Sequence, residues 1–361
     1  MTLMTAARRL LTPAFLAILL LAPPVSARTA APSAPAPRPA PAQTPAAASS
    51  ADASAKPSPT PPRPWLYARS DVPMDPAWHF GVLPNGLRYA VRHNDVPAGQ
   101  VSIRIRVDVG SLMEKPSEAG FAHFMEHLTF RGSREVPDGE SKRIWQRLGA
   151  SFGVDSNAQT TATGTTYALD LPDATNAGLS ESFKILAGML AEPNIVPEAV
   201  NAERNIVLAE RRQGLGPAKR LGDTGREFYF AGQPLAEHGP IGTVAALEGA
   251  TPAALRAFHD RWYRPERTVI AVSGDADPAA IEAMIAKYFG GWHVAGPLTP
   301  LPDFGKPDPN APKVKVIVEP NAPYTVNLAY LRPWVFHDDT VAFNEARQAG
   351  QLALQLINRR L

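Results

Sequence analysis

The sequence predicts an α+β fold in which a mostly antiparallel sheet carries packed helices. Three observations predict it. Val101 to Val109 alternates apolar and polar residues, the period of a strand with one buried face. Strand candidates are joined by links of hairpin length. Helix candidates then follow in runs, whereas a doubly wound α/β chain would alternate them with strands.

The elements follow in order. Asn85-Gly86 is a turn signal ahead of a strand over Leu87 to His93. The Val101 to Val109 strand ends at Gly110. Helices are expected over Glu118 to Phe130 and Glu140 to Leu148, then a Thr-rich strand over Thr160 to Leu171 closed by Pro172. Two helices should cover Ala177 to Ala191 and Pro197 to Gln213, with Pro197 suited to a first turn. Thr251-Pro252 opens a helix through Trp262, with Thr as N-cap and Pro at N1. A buried strand over Thr268 to Ser273 and a helix over Pro278 to Phe289 follow. The Pro-rich stretch from Gly296 to Pro312 marks a boundary. Strands over Val314 to Glu319 and Thr325 to Leu331 and a helix over Asp338 to Leu361 complete the reading.

The N-terminal residues 1–27 read as a secretory signal: Arg8 and Arg9, an apolar run from Leu10 to Leu21, then Val25-Ser26-Ala27 for cleavage. The run is too short for a comfortable membrane span of about 20 residues. An exported protein, periplasmic or secreted, with no stable span after cleavage is expected. Residues 28–64 are nearly all Ala, Pro, Ser and Thr, so a linker is expected over 28–70. The chain has no Cys, so neither disulfides nor thiolate ligands are available. Net charge is +2 without a basic stripe of interleaved aromatics, which argues against nucleic-acid binding.

His123-Phe124-Met125-Glu126-His127 carries the chemistry. On a helix, positions 123, 126 and 127 share one face, bringing two imidazoles and a carboxylate together. This H-x-x-E-H order is the inverzincin signature, with two zinc-binding histidines and a glutamate base. A solvated charged face is the plainer reading. Phe121, Phe124, Met125, Leu128 and Phe130 oppose it by making the helix apolar on most sides. Three ionisable groups there would be costly without a purpose. A catalytic zinc needs a third protein ligand and one open position. Glu203 and Glu210 lie two helical turns apart on one face of the Pro197 to Gln213 helix. One can reach the metal while the other holds a ligating histidine from behind. Spacing does not rank them, and an ordinary charged helix pairing Arg204, Arg211 and Arg212 with the glutamates fits the same pattern.

The segments Gly110-Ser111, Glu114, Gly120 to His127 and Phe130-Arg131-Gly132-Ser133 resemble the pitrilysin/insulinase family of inverzincin peptidases. So do Gly149-Ala150-Ser151, Asn157-Ala158-Gln159-Thr160, Thr166-Tyr167, Pro240 to Thr243, Phe258, Trp262 to Glu266 and Gly274-Asp275. The resemblance runs from about Phe80 to the C-terminus. It implies the family's α/β roll, with a complete zinc-binding domain over 71–300 and the opening of a second, homologous domain over 301–361. It also implies one Zn2+ per chain on His123, His127 and Glu210, with Glu203 holding a histidine, and Glu126 as the base. Asn157, Ala158 and Thr160, on the family's active-site edge strand, would bind the peptide.

The implied activity is zinc-dependent endopeptidase hydrolysis of unfolded peptides. The family's Arg/Tyr pair from the opposite half has no match here. A second half-chamber is therefore expected from a C-terminal continuation, a homodimer or a heterodimer partner. The alternative is a half-site or non-catalytic subunit that binds zinc and peptide but needs a partner for turnover. A binding module without turnover is less consistent with Glu126, since a pure zinc holder gains nothing from a base.

Overall fold

Pairing decides which alternating segments become strands. The computed structural model describes residues 65–320, 322–329, 331 and 335–360. The expected signal segment and residues 28–64 of the expected linker lie outside the described residues. The chain divides into two compact units, residues 74–324 and a second made of residues up to 73 together with 325 onward.

The larger unit holds one six-stranded sheet. Its strands are β1 (Trp78–Val82), β2 (Arg88–His93), β3 (Val101–Val107), β4 (Ser156–Thr160), β5 (Thr165–Leu171) and β6 (Thr268–Gly274). The spatial order is β1-β2-β6-β3-β5-β4. Every pairing is antiparallel except β2 with β6. β3, β5 and β6 alternate strictly between buried and half-buried residues, so one face of the sheet lies under helices. Ile103, Ile105 and Val107 of β3 meet Tyr167 and Leu169 of β5 and Ile270 and Val272 of β6 in that core.

The helices are α1 (Phe121–Thr129), α2 (Glu140–Arg147), α3 (Asn176–Ala191), α4 (Pro197–Gln213), α5 (Pro217–Tyr229), α6 (Val244–Glu248), α7 (Pro252–Trp262) and α8 (Pro278–Phe289). Their starts are written in the sequence. Thr175, Thr243, Thr251 and Asp277 each accept a hydrogen bond from a backbone N–H of the first turn. Trp145, Phe124, Phe183, Phe258 and Phe289 fill the layer between helices and sheet. Each such side chain contributes roughly 1.5–3 kcal/mol by leaving water. Among the described residues, no helix is long and apolar enough to cross a membrane. In the smaller unit, Leu66–Arg69 forms a 3-10 turn and α9 (Val341–Arg360) a long helix.

Several expectations need correction. The segment from Thr160 to Leu171 is not one strand. It is the end of β4, a turn over residues 161–164, and β5 returning antiparallel, with Thr160 opposite Thr165. The turn closes through Thr161 N–H to Gly164 O at 2.9 Å. Helix α1 starts at Phe121, not Glu118, because Pro116–Glu118 is a separate 3-10 turn and Gly120 is left-handed, with φ of 100°. Neither 314–319 nor the described part of 325–331 is a strand. Their alternation is real, but no ladder partner among the described residues supplies hydrogen bonds, and Val314, Val316 and Val318 stand 79%, 80% and 87% exposed. Strand β1 and helices α5 and α6 were not anticipated.

β3 and β6 are the two central strands, and Ile105 is fully buried. Ile105→Ala is expected to lower stability by about 2–5 kcal/mol. Urea unfolding followed by circular dichroism checks this, and a loss below about 1 kcal/mol would show that the central strands do not carry the core.

Candidate metal centre

The first turn of α1 is fixed before any ligand chemistry begins. The Glu114 carboxylate is buried and accepts the N–H groups of Gly120 and Ala122, both at 2.8 Å. These are donors that a helix start leaves unsatisfied. Burial pushes the Glu114 carboxyl up to about 8, against the pull of those two amides. Gly120 has room only for hydrogen: a Cβ there would lie 3.0 Å from Gly242 Cα, in a left-handed backbone position. The loop through Gly242 thus lies directly on the N-terminus of α1. Phe121, Phe124, Met125 and Leu128 are buried, which fixes the helix's rotation.

That rotation aims His123, Glu126 and His127 at a cleft of about 440 Å³, in which His123, Glu126 and Glu210 line the wall. His123 and His127 stack edge to face, 4.7 Å between ring centres. From α4, Glu210 reaches both rings. Its Oε1 lies 3.6 Å from His123 Nε2 and its Oε2 lies 3.3 Å from His127 Nε2. The three ligand atoms lie within 4.8 Å of one another. Donors about 2.0–2.2 Å from a tetrahedral zinc stand roughly 3.3–3.6 Å apart, and both Glu210–histidine separations match that spacing. Nitrogen and carboxylate donors are also what zinc accepts in the absence of thiolates.

Glu203, one helical segment before Glu210, approaches His127 from the other side. Its Oε2 is 3.0 Å from His127 Nδ1. Its other oxygen accepts Arg131 Nε, and Arg131 also reaches Asp138 at 3.2 Å. This chain orients the His127 ring so that Nε2 faces the cleft. His123 has no equivalent: its Nδ1 is buried and has no hydrogen-bond partner among the described residues.

Thr160, the last residue of the edge strand β4, donates its hydroxyl to Glu126 Oε2 at 2.5 Å. Ala158 and Thr160 line the cleft with the ionisable cluster. Asn157 lies on the same strand but is exposed, with Oδ1 accepting the N–H of Ala158 at 2.9 Å. The structure therefore brings together His123, Glu126, His127, Glu210, Glu203 and Thr160, and leaves the Asn157 side chain outside the cluster. Sequence reasoning gave no role to Glu114 or Arg131, though both sit in the motif segments. It also missed Lys219 and Arg226 of α5, which line the cleft.

Charge is distributed unevenly over the two histidines. In the metal-free protein, burial opposes the His127 cation, but Glu203 and Glu210 outweigh it and push its pKa from 6.5 up to about 9. Burial and the His127 charge pull His123 down, to about 4, with Glu210 opposing. Burial raises the Glu126 carboxyl, and the Thr160 hydrogen bond only partly offsets this. For His127 the folded pKa exceeds the unfolded one. Its contribution to stability is therefore complete below about 6.5 and is lost as pH rises through about 9. For His123 the sign is opposite: stability falls as pH drops from about 6.5 through about 4. The Tm of the metal-free chain is expected to fall between pH 7 and 9, and His127→Ala should flatten that limb. An identical alkaline slope in the variant would refute the assignment.

Two family models match this chain: insulinase (peptidase family M16) over residues 89–214, and the peptidase M16 inactive domain over residues 249–344. The probable zinc protease PqqL of Haemophilus influenzae is 30% identical over 220 residues, covering 61% of this chain and 24% of that protein. The probable zinc protease PqqL of Escherichia coli K12 is 32% identical over 214 residues, 59% of this chain and 23% of that protein. The chain thus spans about a quarter of the length of these curated relatives. Among solved structures, the first half of the periplasmic protease PqqL from Escherichia coli matches with a TM-score of 0.61 and 30% identity, covering 64% of this chain and 50% of that one. The zinc-compatible set lies inside the first matched region, and the mixed α+β fold is like that of the structural neighbours: the chain carries regions that match the insulinase (M16) peptidase family.

Proposed function

We propose that this chain is the zinc-bearing part of a metalloendopeptidase that hydrolyses unfolded peptides. The observation that carries the reading is the convergence of His123, His127 and Glu210 beside Glu126, at the end of a free sheet edge. His123, His127 and Glu210 would hold the ion, and Glu203 would keep His127 turned toward it. A zinc ion there would supply Lewis acidity, making a water more acidic and polarising the scissile carbonyl. Glu126 takes the proton of the attacking water and returns it to the leaving amine. Burial raises its carboxyl above the ordinary carboxylate range, which favours its holding the proton in transit. Thr160 holds Glu126 Oε2 through its hydroxyl, which fixes the direction of the carboxylate. A peptide laid along β4 would add to its outer edge as a further strand, displacing the Asn157 side chain from the Ala158 N–H. Asn157 and Ala158 would set its register there.

Residues 71–300 would form the zinc-bearing domain and 301–361 the opening of its homologue. The relative of known structure is described as periplasmic, which agrees with reading residues 1–27 as an export signal. A continuation, a second copy or a partner chain would supply the other half of the chamber. The match to half of a longer protease also favours a second reading, in which the chain binds zinc and peptide but turns over only with that other half.

Zinc should bind at one ion per chain. His123→Ala or His127→Ala should abolish it, and Glu210→Gln should weaken it more than Glu203→Gln, whose loss should cost about 10- to 100-fold. Metal analysis after dialysis checks this; full zinc content in both histidine variants would remove the site. Glu126→Gln should retain the ion yet lose hydrolysis of a quenched-fluorescent peptide, measured with the remaining sequence or partner supplied. Equal turnover in that variant would rule out Glu126 as the base.

A further inference from the structure

The cleft has a second wall whose charge the hydrolytic chemistry does not use. Arg211 of α4 and Lys219 and Arg226 of α5 line the same cavity as His123, Glu126 and the edge-strand residues Ala158 to Thr160. Lys219, Asp223 and Arg226 are spaced to share one face of α5. Asp223 is the only carboxylate bonded to this trio among the described residues. It takes Lys219 at 2.7 Å and Arg226 at 2.8 Å, so one anion serves two cations. Arg211 gives its Nε to the carbonyl of Gly242 at 3.2 Å, which fixes the guanidinium, and no described carboxylate pairs with it. The other anions of the cleft are engaged elsewhere: Glu210 faces the two imidazoles and Glu126 faces Thr160. Two positive charges therefore remain uncompensated on this wall. Its cations are half-buried, with Lys219 and Arg226 side chains 27% and 25% exposed, where an ion pair is screened less than on open surface.

We infer that this wall is a carboxylate subsite, so that the cleft selects peptides presenting a carboxylate to Arg211, Lys219 and Arg226. The inference rests on reading the cleft as a peptide site. The carboxylate can come from an Asp or Glu side chain or from the peptide's own C-terminus; both offer the planar acceptor that a guanidinium grips through two N–H groups. Arg226 and Lys219 trade part of their bond to Asp223 for the ligand. Arg211 contributes its unspent Nη groups without moving from Gly242.

Binding separates this subsite from the hydrolytic reading. The zinc-loaded full chain carrying Glu126→Gln is titrated with fluorescein-labelled peptides that differ only in Glu, Gln or Lys at a scanned position, each as free acid and as C-terminal amide. The Glu peptide should bind about tenfold tighter than its Gln isostere at one position, a difference typical of a partly desolvated charge pair. If the free acid and not the side chain carries the difference, the carboxylate source is the C-terminus. Added salt should shrink the ratio. Arg211→Gln and, separately, the more exposed Lys219→Gln should each bring it toward one, and Arg211→Glu should favour the Lys peptide. Glu, Gln and Lys peptides binding within twofold of one another, as acids and as amides, would overturn the inference. Carboxylate selectivity in a protein that hydrolyses no peptide, even with the remaining sequence supplied, would uphold the subsite and refute the peptidase reading instead.

Discussion

Burying ionisable groups on an apolar helix is the constraint around which this structure is arranged. Helix α1 is packed on most of its surface, yet carries two imidazoles and a carboxylate. Left unanswered, each would cost several kcal/mol or lose its charge. The rest of the unit supplies the answers. Helix α4 lies against α1 and delivers Glu203 and Glu210 to the two rings. The hairpin of β4 and β5 ends where Thr160 meets Glu126. Glu114 and the glycine contact at Gly120 hold the start of the helix, so these partners all meet a side-chain array of fixed rotation.

Much of this was legible because the code for it is local. The 3.6-residue period placed His123, Glu126 and His127 on one face, and the N-cap Thr251 with Pro252 behind it marked a helix start. Helices α4 and α8 fall where their Pro at N1 and apolar periodicity put them. What stayed hidden depends on partners distant in sequence. No spacing could tell Glu203 from Glu210, since both lie on one face; only the approach of α4 to α1 separates the side of His127 each one meets. Strand β1 is only five residues long, and its burial is irregular because among the described strands only β2 flanks it. Helix α5 is interrupted by Gly222 and Gly225 and has no buried residue, so neither propensity nor an apolar stripe announces it. The segments at 314–319 and 325–331 show the opposite failure, in which strong alternation met no ladder.

The hairpin between β4 and β5 shows how one misread boundary hides a function. Read as a single strand, Thr160 to Leu171 is another rung of the sheet. Folded back at residues 161–164, it makes β4 an edge with one side open, and it brings the Thr160 hydroxyl to the end of that edge. Thr160 thus belongs at once to the open edge strand and, through its hydroxyl, to the surroundings of the Glu126 carboxylate.

Helix α5 differs in kind from everything else that lines the cleft. The motif helix is welded into the core, whereas α5 buries none of its residues and is entered through Gly214-Leu215-Gly216. Substitutions there touch little of the free energy that holds the sheet and α1 together. The charge a substrate meets can therefore drift, or be redesigned, almost independently of foldability. On the proposed reading the chemistry sits on a rigid element while two of the three subsite cations, Lys219 and Arg226, sit on a replaceable one, and a library confined to α5 would sample new preferences while drawing few misfolded members.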